Sequence, residues 1–208
     1  MKTKSKALIL AICAILLLSV SVFGTMAYLT DEKAVTNTFT VGDVEITLDE
    51  IDVDEYGVEV ENAQRITMGQ EYLLIPGRTY TKDPIVHVIA DSEACYVYVK
   101  VINGIEAYES DAQGYTSIAG QIAANGWTAL DGVANVYWKA VDKSDAVQDL
   151  PVFAEFQVDA TANKVSGWDT IAASTNDVVV TAYAIQQDGF ASAKAAWDAA
   201  VGTGEIVA

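Results

Sequence analysis

The chain holds one histidine, His87, and two cysteines, Cys13 and Cys95, so nucleophilic or metal chemistry has few places to be. A catalytic zinc site takes three protein ligands, commonly His with Glu or Cys, and the sequence has no H-E-x-x-H and no C-x-x-C to begin one. A Ser-His-Asp triad would have to use His87 as well, yet no serine stands in a G-x-S-x-G turn. If His87 and Cys95 lie diagonally on one sheet face they stand about 7 to 8 Å apart, the makings of a Cys-His pair. Both would then sit among Val and Ile, where a free Cys behaves as a small hydrophobe. No G-x-G-x-x-G or G-K-[ST] loop is present to cradle a phosphate. With 29 Asp and Glu, some pair always falls at glycosidase spacing and says nothing. The expectation is that the protein is not an enzyme and has no catalytic residues.

The acidic run Asp49 to Glu61 (DEIDVDEYGVEVE) is the remaining candidate for chemistry. Set on an EF-hand loop, Asp52 and Asp54 fill the first and third positions and Gly57 the sixth, but Tyr56 takes the fifth and Ala63 stands where the bidentate Glu belongs. Asp49, Asp52, Asp54 and His87 are therefore weak candidates for holding a cation, with calcium as the ion. A solvated, charged loop is the plainer reading, and no cofactor is expected.

Composition narrows the setting. The 208 residues carry 29 acidic against 12 basic side chains, a formal charge of −17 and a pI near 4.1. Neutralising phosphates needs clustered Lys or Arg, so nucleic acid is excluded as a partner. Lys2, Lys4 and Lys6 precede the apolar run Ala7 to Phe23, and Thr25 and Ala27 place small residues third-last and last before a cut at Tyr28. This is the three-part export signal, and the run is short for crossing about 30 Å of hydrocarbon. Residues 1–27 are read as a signal peptide and 28–208 as one secreted domain. Cleavage removes three lysines and no acid, so the mature chain is more acidic still. It also leaves Cys95 alone, without an internal disulfide, so stability must come from the core.

Period-2 alternation dominates that domain. Strands are expected at Thr38 to Val41 running on through a bulge at Gly42 into Val44 to Leu48, and at Gly57 to Glu61, Glu71 to Ile75, Ile85 to Ala90 and Cys95 to Ile102. Others are expected at Asn135 to Val141, Val152 to Val158 and Asp177 to Gln186. Tyr115 to Ala124 and Phe190 to Val201 read as short peripheral helices, the second with Phe190, Ala193, Trp197 and Val201 on one stripe. The predicted class is mainly β, two packed antiparallel sheets with two or three short helices. Ile85 to Ile102 is expected to be a hairpin turning near Ser92. Its inner face would hold Ile85, His87 and Ile89 with Cys95, Val97, Val99 and Val101, and its outer face Tyr96, Tyr98 and Lys100.

The stretch GTMAYLTDEKAVTNTFTVGDVEITL, Gly24 to Leu48, strongly resembles the start of the TasA and camelysin group of exported bacterial proteins, with their small-x-Ala-Tyr junction and N-T-F-x-x-G strand. Leu73 to Val88, Cys95 to Val101, Leu150 to Val158, Val180 to Phe190 and Ala195 to Trp197 look like its later segments. The match is least specific from Glu106 to Asp149. The resemblance implies a jelly-roll-like β-sandwich, a SipW-type signal peptidase during export, and a subunit of extracellular biofilm-matrix fibres at or beyond the cell surface. It implies that Tyr28 to Leu48 is a donor strand given to a neighbouring copy, with accessory matrix proteins as further partners. The residues suit the task. Thr36, Thr38 and Thr40 alternate with Asn37, Phe39 and Val41, then come Gly42, Val44, Ile46 and Leu48, and no proline interrupts the ladder. Adding a strand to an open edge satisfies main-chain groups, and a head-to-tail contact that does not close yields filaments. Alternation serves an edge strand of the chain's own domain equally well. Two other readings stay open, a camelysin-like metal-dependent endopeptidase using His87 and a monomeric adhesin or accessory subunit.

Overall fold

Alternating side chains decide which way each strand faces. In β2, Ile46–Ile51, the residues Ile46, Leu48 and Glu50 point inward while Thr47 is exposed and Asp49 and Ile51 are half-buried. The computed structural model describes residues 39–41, 43–168, 178–204 and 206. The expected cleavage residues Thr25, Ala27 and Tyr28, and the donor residues Thr36, Asn37, Thr38 and Gly42, lie outside them. The described strands after β1 (Phe39–Val41) and β2 are β3 (Arg65–Ile66), β4 (Thr79–Thr81), β5 (Ile85–Val88), β6 (Cys95–Asn103), β7 (Thr128–Ala129), β8 (Val136–Val141), β9 (Gln148–Pro151), β10 (Glu155–Gln157) and β11 (Val178–Gln186). Helix α1 spans Ile118–Ala124 and α2 spans Ala193–Thr203.

The protein is mainly β. One sheet runs β1-β11-β6-β8-β7, a second β3-β2-β5-β9, and β10 pairs with β4. Every pairing is antiparallel except β1 with β11. The two larger sheets share one core. Ile46, Leu48, Val86 and Val88 come from one side, Val97, Val99, Val180 and Ala182 from the other, and Tyr80 and Phe156 of the small sheet stack at 4.8 Å. Each Val, Ile or Leu side chain of this set, fully buried, contributes about 1.5–3 kcal/mol.

Several local expectations change. Phe39–Val41 and Ile46 to Leu48 do not belong to one bulged strand: β1 belongs to the five-stranded sheet and β2 to the four-stranded one. Nor do β5 and β6 form a hairpin. β5 pairs with β2 and β9, β6 with β11 and β8, and residues 89–94 carry the chain across the sandwich. Ser92 fastens that crossing by exchanging hydrogen bonds with the main chain of Glu45, and Asp91 turns it at a φ of 67°. Crossing sheets removes the parity link between the strands, so Val86 and Val88 face the core and His87 faces out, away from Cys95. Of the strand expected at Val152 to Val158 only Glu155–Gln157 forms one, β10, while β9 ends just before it at Pro151 in a different sheet. Gly57 to Glu61 and Glu71 to Ile75 are loop, with only an isolated bridge from Val53 to Glu59. There side chains take the place of a ladder. Gln70 accepts from Val53 N and donates to Ile51 O, while the Tyr80 hydroxyl accepts from Ile75 N and donates to Leu73 O. Gly57 lies so close to Tyr80 that an added Cβ would stand 2.7 Å from its Cα, and its φ is +71°.

Both helices are present and start later than expected. Ser117 caps α1 by accepting from Gly120 N, and Ser192 caps α2 by accepting from Ala195 N. Gly204 closes α2 in the left-handed conformation at φ 77°. The α2 stripe is Ala193, Ala196, Trp197 and Ala200, which buries Tyr98 and Tyr183 on the outer face of the five-stranded sheet. The tyrosines expected to coat a solvent surface therefore line a second core.

Candidate functional site

Among the described strands, the first one lies on a sheet border. β1 pairs in parallel with β11 through Phe39 opposite Tyr183, Thr40 opposite Ala184 and Val41 opposite Ile185. β11 is nine residues long, and all nine pair with β6 on its other side. Along the β1 side no described strand covers Val178 to Ala182. A row of main-chain donors and acceptors on a strand border is a template for another strand. The second sheet leaves a shorter stretch of the same kind, because β3 reaches only Glu50 and Ile51 of β2.

The other donor candidates sit differently. Val44, Ile46 and Leu48 are at most 3% exposed, in the chain's own core, and Ile46 to Asp49 pair with β5. Withdrawing them would uncover three apolar side chains and break a four-residue ladder. Phe39, Thr40 and Val41 pair on one side only among the described strands, through three parallel pairs.

The candidate cation residues separate. Asp54 accepts from the main-chain N–H of Tyr56 and Val58, fixing its own loop, and Asp52 takes part through its backbone, which accepts from Val60 N and donates to Gln64 O. Asp49 and His87 do meet, on the outer face of the four-stranded sheet. His87 Nε2 lies 3.0 Å from Asp49 Oδ1, and His87 Nδ1 lies 2.7 Å from Asp149 Oδ1. Arg65 completes the row by donating to Asp49 and to Asp83. Because the two carboxylates face opposite ring nitrogens, a single ion could meet only one of them through His87. Among the described residues no group of three His, Cys, Asp or Glu could hold a metal ion. Burial pushes the Cys95 thiol up to about 11, and with His87 on the other side of its sheet the two form no pair.

An internal ion pair went unforeseen. Glu50 and Lys82 are buried side by side, with Nζ 2.7 Å from Oε2 and the ammonium over the Tyr72 ring at 5.8 Å. Its signal was the register Ile46, Leu48, Glu50, which puts a carboxylate where the next apolar residue belongs.

These features define a mainly β protein, with two larger sheets and a two-stranded one, whose first described strand is a three-residue parallel rim. No family model, no curated protein and no solved structure matches the chain. The resemblance to the TasA and camelysin group thus rests on the residues quoted for it.

Proposed function

We propose that the chain is a secreted structural protein, a subunit of extracellular matrix fibres that grow head to tail as each copy gives its N-terminal strand to the next. The observation that carries this is the border position of β1 among the described strands, held by three parallel pairs; on this reading the residues ahead of it are freed by signal cleavage. Border placement narrows the donor to residues ahead of Asp43, because Val44, Ile46 and Leu48 serve their own core. It also indicates an acceptor. A donor strand from a neighbour that continued the β1 register toward its N-terminus would set Thr38 against Ala182, Asn37 against Thr181 and Thr36 against Val180, along the stretch of β11 that no described strand covers. Taking the same register from a neighbour exchanges one set of main-chain bonds for an equivalent set, so the swap costs little and the contact stays open-ended. Export through a SipW-type signal peptidase and contact with accessory matrix proteins belong to this reading. Calcium and peptidase chemistry do not enter it.

The test uses two singly substituted chains, Asn37→Cys in one and Thr181→Cys in the other, whose side chains the extended register brings opposite each other. Buried Cys95 does not compete. Mixing them under mild oxidation is expected to give a disulfide-linked dimer of the two variants. If the dimer does not form, while a chain carrying both substitutions closes readily on itself as a monomer, exchange is ruled out in favour of the monomeric accessory role.

A further inference from the structure

We infer that His87 is a proton-operated clasp across the four-stranded sheet, tying border strand β9 to β2 while its ring carries two protons and releasing the β9 end when one is lost. The inference rests on side-chain geometry and is independent of the filament reading.

Both ring nitrogens point at carboxylate oxygens, Nε2 at Asp49 of β2 and Nδ1 at Asp149 of β9. An ionised carboxylate only accepts, so both contacts are hydrogen bonds only if both nitrogens donate, which requires the imidazolium. A neutral ring donates once and turns a lone pair toward the other carboxylate at hydrogen-bond distance. The other charged groups of this face are Arg65 of β3 and Asp83 ahead of β5, and Arg65 pairs with both Asp83 and Asp49. Three carboxylates thus surround one fixed cation and one that depends on pH. Partial burial opposes protonation of His87, but the hydrogen bonds to Asp49 and Asp149, with their charges, outweigh it and hold the ring's pKa above the usual value.

The two contacts differ in how they fail. Asp49 is 19% exposed and keeps Arg65 when His87 becomes neutral. Asp149 is 64% exposed and is held among the described residues by the ring nitrogen, so it swings into water at little cost. The other end of β9 is independently fixed, because Trp127 Nε1 donates to Pro151 O at 2.8 Å. Release therefore falls on Gln148 and Asp149, where β9 borders the sheet, pairs among the described strands with β5 alone, and is otherwise tied by Gln148 Nε2 donating to Asp142 O. In linkage terms, a raised folded pKa means the stabilisation is full below the unfolded value of about 6.5 and disappears as pH rises through the folded value.

The test exploits the chain having one histidine, which gives a single imidazole signal in the NMR spectrum of the mature protein. Titration should place its midpoint above about 6.5, and each unit above that corresponds to about a tenfold preference of the folded sheet for the charged ring. Asp149→Asn should lower the midpoint. Hydrogen exchange at Gln148 and Val88, corrected for intrinsic base catalysis, should accelerate several-fold across the midpoint in the unmodified protein and show no step in His87→Gln. A midpoint at or below about 6.5, or exchange that stays flat through it, would overturn the clasp.

Discussion

The indole of Trp197 stands 5.1 Å from the ring of Tyr98, and the Tyr98 hydroxyl donates to Ala193 O at 2.7 Å, so α2 is fastened to β6 by a ring contact and a hydrogen bond together. Tyr183 meets the same indole edge-on at 5.6 Å. Trp197→Ala should therefore cost about 3–5 kcal/mol, the range for deleting a large buried aromatic. Tyr98→Phe, which removes the hydrogen bond and leaves the ring, should cost about 1 kcal/mol plus the penalty of an orphaned carbonyl. Urea unfolding of the mature domain measures both. Equal losses for the two would mean that the ring packing of Trp197 adds nothing.

The Glu50–Lys82 pair is buried at both ends, and Glu50 Oε1 has no hydrogen-bond partner among the described residues. Removing one member strands the other charge in the core. Lys82→Met alone should destabilise by about 3–5 kcal/mol, whereas Lys82→Met with Glu50→Leu should recover most of that loss. A double-mutant cycle on unfolding free energies decides it. Additive losses would show that the two charges do not depend on each other.

How much of this was legible follows from particular residues. The inward sets Ile46 and Leu48, Val97 and Val99, Val180 and Ala182 are written in the alternation, so the strands and the mainly β class could be read. The facing of His87 could not. It depends on whether residues 89–94 turn back within one sheet or cross to the other, and polar, turn-forming residues suit both. The burial of Tyr98 was hidden because it depends on α2 arriving from nearly a hundred residues away. The rim position of β1 was hidden because Phe39, Thr40 and Val41 alternate in the same way on a border as in the middle of a sheet.

Cys95 lies at 0% exposure and its thiol is pushed up to about 11 by burial, so almost none is thiolate at neutral pH. In the mature chain, a thiol reagent such as iodoacetamide at pH 8 should leave it unmodified for as long as the domain stays folded and modify it fully in denaturant. Intact mass follows the reaction. Rapid labelling of the native chain would place Cys95 at an accessible position, contrary to its place between the sheets.

Electron microscopy of two chains, one of residues 28–208 and one beginning at Asp43, bears most directly on strand exchange. The first should form filaments. The second should keep its circular dichroism and unfolding transition, since it retains the core of both sheets, yet form none. Mixed in as a minor component, it should accept a donor without giving one and so shorten the filaments of the first. Filaments of undiminished number and length from the chain beginning at Asp43 would contradict the account.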